Sequence, residues 1–63
     1  KWSDLWIVGD IWELDGALPW VLGANVVVID NGVMPDYERR WLAKRERVHT
    51  TETLTGACEI LFG

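Results

Sequence analysis

One cysteine and one histidine in 63 residues leave this chain without a disulfide and without the ligands of a structural zinc site. Small domains usually rely on such staples, because a chain of this length buries only about 60% of its unfolded surface. Long apolar runs are also lacking. Stretches such as Val26 to Ile29 fall far short of the ~20 residues that a membrane helix needs. There is no secretory leader pattern, and the lone Cys58 suits a reducing, cytoplasmic compartment. Asp30 ends a strand-like run, as the ribose-binding acid of a dinucleotide fold does. No Gly-x-Gly-x-x-Gly follows the first apolar run, however, so that fold is set aside.

What the chain does have is apolar bulk. Hydrophobic residues make up 49% of it, and five are Trp. With no staple available, this surface needs something else to pack against. Either the chain oligomerises or it is a piece of a larger domain. A start at Lys1, without an initiator Met, favours the piece. The Trp residues then read as core, or as the surface that meets the rest of the domain.

Net charge is −4, unevenly spread. Asp4, Asp10, Glu13, Asp15, Asp30 and Asp36 face only Lys1 in residues 1–36, whereas Arg39, Arg40, Lys44, Arg45 and Arg47 dominate residues 37–47. An acidic first half argues against a nucleic-acid face there, since phosphate backbones call for cations. It is compatible with a divalent metal. The basic run reads as a solvated helix face.

Continuous apolarity in Leu5-Trp6-Ile7-Val8 suits a strand buried on both faces, as in a parallel sheet. Pro19 is tolerated only in a first turn, so a short helix from Ala17 to Leu22 starts near Gly16 and stops at Gly23. Asn25 to Asp30, β-branched at its centre, is the clearest strand, and Asn31-Gly32 turns it. Residues 5–30 thus read as a βαβ unit with parallel strands. Pro35 and Asp36 open a polar helix with Tyr37, Trp41 and Lys44/Arg45 on one side, the basic stems covering apolar surface. Residues 47–50 suit a short edge strand, with His49 at its end. Leu54, Ala57, Cys58 and Leu61 define an amphipathic helix capped by Thr51 or Thr53, with Cys58 in the core. The order is that of an α/β fold.

The segment with chemical content is Gly9-Asp10-Ile11-Trp12-Glu13-Leu14-Asp15. A buried strand delivers Asp10 at its carboxyl end, where open α/β sheets bind ligands. Asp15 stands at a helix entrance, where a carboxylate is favoured. Two carboxylates in one crevice repel unless a cation joins them, and hard oxygen donors in small number suit Mg²⁺ completed by water and phosphate. Taken alone, the same residues also suit a turn Asp and a helix cap. Glu13 reads as a solvated loop residue.

This pattern resembles the fourth motif of the haloacid dehalogenase (HAD)-like hydrolase superfamily: an apolar strand, Gly-Asp, four residues, then Asp. Gly23, eight residues after Asp15, and the strand through Gly32 continue the likeness over residues 5–32, and Thr53-Leu54 to Phe62 is loosely similar to the family's last helix. Ile11 stands where many members have Ser or Thr, and Trp12 is bulky for this loop. The family's Asp-x-Asp nucleophile motif, its second-motif Ser/Thr and its phosphate-binding Lys are missing from these 63 residues. The resemblance therefore implies the C-terminal portion of a Rossmann-like three-layer parallel-sheet domain. Residues 5–32 would be its βαβ metal-loop unit, and residues 33–63 its C-terminal helical segment with an edge strand. It implies a Mg²⁺-dependent phosphohydrolase that works through an aspartyl-phosphate in a longer polypeptide, with Asp10 and Asp15 as metal residues and no catalytic nucleophile here. The implied partners are a phosphorylated small molecule and the N-terminal part of the same domain, with no nucleic acid and no membrane. Dehalogenase, phosphonate hydrolase and phosphomutase chemistries share the motif, and cap insertions that set the substrate are not in this segment. A second hypothesis, from the residues alone, is a small acidic α/β interaction module whose Trp surface binds a partner.

Overall fold

Three strands and three helices alternate along residues 1–63, all of which the computed structural model describes. Strand β1 is Trp6–Gly9, β2 Asn25–Ile29 and β3 Val48–Thr51; helix α1 is Ala17–Val21, α2 Asp36–Ala43 and α3 Leu54–Phe62. The strands form one sheet in the order β1-β2-β3, parallel throughout, with Ile7 opposite Val26 and Val26 opposite Val48. The chain belongs to the α/β class, and the βαβ reading of its first half is borne out. A 3-10 turn over Trp2–Asp4 precedes β1, and a π-helical turn over Trp12–Gly16 precedes α1. No helix is long and apolar enough to cross a membrane.

The β-branched centre of β2 takes the middle place because it is the one strand covered on both faces. Val26, Val27 and Val28 are fully buried. By the two-residue period of a strand, Val26 and Val28 share a face with Ile7 and Val48, and that face carries the main core with Trp12 and Leu42. The chain steps across the sheet in one direction, so crossovers of one hand put α1 and α2 on this same side. Trp12 of the π turn, Trp20 of α1 and Trp41 of α2 meet there, each ring centroid 5.9 Å from the other two. Val27 faces the opposite side, where Ala57 of α3 is also buried and Gly56 lies against the Thr51 side chain. Thr53 caps α3, its hydroxyl oxygen accepting the Gly56 N–H at 2.9 Å.

The basic run does structural work that its composition did not announce. Arg45 stacks over Trp41 at 4.1 Å from the ring centroid. Arg47, at a positive φ of 64°, donates from Nη1 to the carbonyls of Trp20 and Ala24 at 3.1 and 2.9 Å. It thereby caps the C-terminal end of α1, where a cation is favoured. Trp20 Nε1 donates back to the Glu46 carbonyl at 2.9 Å. These residues are therefore not a purely solvated face.

Four further expectations change. Leu42, not the Tyr37 and Trp41 side, is the buried residue of α2, and Tyr37 is exposed. Cys58 and Leu54 are exposed, because α3 buries only Ala57 fully against β2 and β3. His49 lies within β3 rather than at its end, and its ring stacks on Trp6 at 5.5 Å. Strand β1, expected to be buried on both faces, is covered on one only: Trp6 and Val8 leave an apolar strip exposed, with Trp2 and Leu5 next to it, because α1 and α2 lie on the other face and the outer edge of β1 has no partner strand.

Leu42→Ala should lower unfolding free energy by about 2–5 kcal/mol, the range for a buried Leu that leaves a cavity. Leu54→Ala, at an exposed position, should stay within about 0.5 kcal/mol. Urea melts of the two variants check this; equal losses would mean that the α2 side of the sheet is not the main core.

Candidate functional site

The site is built from the carboxyl end of β1. The strand stops at Gly9, Asp10 follows at a bend with its side chain exposed, and Ile11 is extended. The chain then tightens into the π turn. Asp15 N–H donates to the Ile11 carbonyl at 2.8 Å, and Ile11 N–H donates to Asp15 Oδ2 at 3.1 Å. These reciprocal bonds close the loop. They also fold Asp15 back over Gly9, where a Cβ would stand 2.5 Å from both Asp15 Cβ and Oδ2. A side chain at position 9 and a returning Asp15 exclude each other, so the Gly serves close approach rather than a special φ. Trp12, buried in the core, anchors the loop from below.

The structure thus brings Asp15 onto Gly9 and Ile11, the two residues that flank Asp10. The Asp10 side chain makes no hydrogen bond or ion pair within the chain. It lines a groove of about 340 Å³ between the β1 loop and the segment after β2, together with Ile11, Trp12, Asn31 and Met34. The groove therefore lies outside the carboxyl ends of parallel strands, the usual ligand position in such sheets. Asp4 sits at the other end of β1 and pairs only with the N-terminal ammonium, at 3.5 Å.

The opposite wall of the groove is held by an ion pair that sequence reasoning missed. Arg39 donates to both carboxylate oxygens of Asp30, from Nε at 2.6 Å and Nη2 at 3.2 Å. It also reaches Asp36 Oδ1 at 2.6 Å and the Met34 carbonyl at 3.1 Å. The Arg39 hydrogen bond, then the Gly32 N–H, hold the Asp30 carboxyl below its ordinary range, and Asp30 raises Arg39 in turn. Asp30 is thereby committed to the β2–α2 connection. The Asp36–Arg39 spacing of three was a legible helix pair. The nine-residue reach to Asp30 follows no period.

The donor set in the β1 loop is two carboxylates and no softer ligand. No group of three His, Cys, Asp or Glu side chains converges anywhere in the chain. Two carboxylates suit at most a hard cation that keeps most of its waters, not a closed zinc-type cage, and Asp15 is not among the residues that line the Asp10 groove. Asp15 Oδ2 is occupied by the Ile11 N–H, whereas its second oxygen has no partner within the chain.

Comparison with family models, curated proteins and solved structures returns no match for this chain.

Gly9→Ala should cost about 1–3 kcal/mol through overpacking against Asp15, and the cost should shrink when Asp15→Gly is introduced with it. A double-mutant cycle of chemical melts reads this coupling. Additive losses would mean that Asp15 does not fold back over position 9.

Proposed function

We propose that this chain is the metal-loop end of a HAD-type, Mg²⁺-dependent phosphohydrolase, with Asp10 and Asp15 as the protein ligands or orienting groups of the cation. The observation that carries the reading is the closed Gly9–Asp15 loop. A parallel strand delivers Asp10 to its carboxyl edge, and the five-residue spacing returns Asp15 to the residues on either side. When bound, Mg²⁺ supplies positive charge against a phosphate and the group that attacks it.

The chain's own residues divide the labour. Asp10 has its direction fixed by β1 and its carboxylate free toward the groove. Asp15 fixes the loop by accepting the Ile11 N–H with one oxygen and offers the other to the cation or to its water. Trp12 and Met34 exclude water from the floor of the groove. The aspartate nucleophile and the phosphate-binding Lys come, in this reading, from the remainder of the domain. That remainder would extend the sheet past the free edge of β1 and cover Trp6 and Val8, giving the Rossmann-like three-layer arrangement. A cytoplasmic setting is part of the same proposal.

The exposed strip of Trp2, Leu5, Trp6 and Val8 also favours a second reading, an acidic α/β interaction module with a structural Asp10. Contiguous apolar surface of this kind marks a partner site in either case.

The two readings part on charge. In the enzyme that carries this chain, Asp10→Asn should lower Mg²⁺-dependent phosphatase turnover by about 10²-fold, the scale of one electrostatic group. Asp15→Asn should cost less, because an amide oxygen still accepts the Ile11 N–H, and Asp4→Asn should cost nothing. The 63-residue chain alone should hydrolyse no aryl phosphate. Turnover by the chain alone, or an Asp10→Asn enzyme indistinguishable from Asp4→Asn, contradicts the phosphohydrolase reading.

A further inference from the structure

The groove has a character that a metal at Asp10 does not explain. Its continuation is a second hollow of about 440 Å³ lined by Trp12, Glu13, Tyr37, Glu38 and Trp41. Three aromatic rings and two carboxylates thus surround one space. No Lys or Arg side chain lines either hollow. Neither Glu13 nor Glu38 is engaged by an ion pair or a side-chain hydrogen bond within the chain. Indole and phenol faces are electron-rich and attract cations. The molecule already exploits this, with Arg45 4.1 Å over Trp41, itself one of the lining rings, and Arg47 5.4 Å from Trp20.

We propose that this aromatic and acidic hollow binds a small organic cation, an alkylammonium or quaternary ammonium group. An anion is disfavoured by the local charge, because Glu13 and Glu38, with Asp10 beyond them, form no ion pair, and the Arg45 guanidinium is taken up over the Trp41 ring. A purely apolar ligand would leave two carboxylates at its rim without use. A cation satisfies both: its alkyl shell packs on Trp12, Tyr37 and Trp41 while Glu13 and Glu38 face its charge. Trp12 is held by the core and Trp41 by its contacts with Trp12 and Trp20, so this wall exists before the ligand arrives, with Tyr37 exposed at the rim. Asp15 and a bound metal take no part, so the site stands apart from the phosphohydrolase reading.

The test is a titration of choline into the 63-residue chain in the presence of a metal chelator. It is read by the indole N–H resonances of Trp12 and Trp41. The control is choline's neutral isostere, in which carbon replaces the quaternary nitrogen. Choline should shift Trp12 and Trp41 saturably, and the isostere should bind roughly tenfold more weakly or not at all. Glu13→Gln with Glu38→Gln, a surface change that keeps shape, should weaken choline binding roughly fivefold with an unaltered circular dichroism spectrum. Tyr37→Leu should weaken it as well, and Asp4→Asn should leave it unchanged. Equal affinity for the isostere, or undiminished binding by the double Gln variant, would reduce the hollow to an apolar groove and overturn the proposal. So would shifts confined to Trp2 and Trp6.

Discussion

Three indole rings in mutual contact are the interaction on which the rest of this molecule depends. Trp12, Trp20 and Trp41 come from the π turn, α1 and α2, and their contacts tie these elements together over Val26 and Val28. A chain of this length buries few residues, so a handful of large side chains must carry the core. The rings also explain the basic residues. Arg45 covers Trp41 from outside, and Arg47 joins the end of α1 to the start of β3 beside Trp20. Because Trp12 belongs both to the core and to the Gly9–Asp15 loop, the packing that stabilises the fold also fixes the loop. Stability and site geometry are therefore one property here.

Those parts of the structure that follow from local chemistry were legible in the residues. The β-branched run of β2, the stop at Gly23, the Pro35-Asp36 helix start and the Thr53 cap all depend on a few neighbouring residues, and all are found. The parallel pairing of β1 with β2 followed from continuous apolarity and a helical connection. What escaped depends on contacts between distant residues. Leu42 rather than Tyr37 is buried because the cluster draws α2 in at Trp41 and turns the neighbouring residue onto the sheet. Cys58 is exposed because only the turn of α3 around Ala57 reaches the sheet. Arg39 pairs with Asp30 across a loop, and His49 stacks on Trp6 across the intervening strand; neither spacing has a period. The sequence set Asp10 and Asp15 in one crevice; it did not foresee that Asp15 would return to the Ile11 N–H. The exclusion of any side chain at Gly9 became visible only with the fold.

The two functional proposals use neighbouring parts of one carboxyl edge. The proposed metal loop uses the carboxylates of Asp10, in the groove, and Asp15, folded back over Gly9. The hollow beyond it offers aromatic faces and unpaired carboxylates. Behind the sheet, the open strip of β1 is an unmet demand of the structure. A parallel sheet is normally covered on both faces, and an exposed strand edge is normally protected.

A divalent cation at the Gly9–Asp15 loop, as proposed, can be tested on the chain itself. Paramagnetic Mn²⁺, added at substoichiometric amounts to the isotope-labelled chain, reads it directly through line broadening. The amide resonances of Asp10, Ile11 and Asp15 should broaden first, excess Mg²⁺ should restore them, and Asp10→Asn should abolish the effect. Broadening centred on Glu52 or Glu59, or spread evenly over the acidic surface, would contradict the proposal.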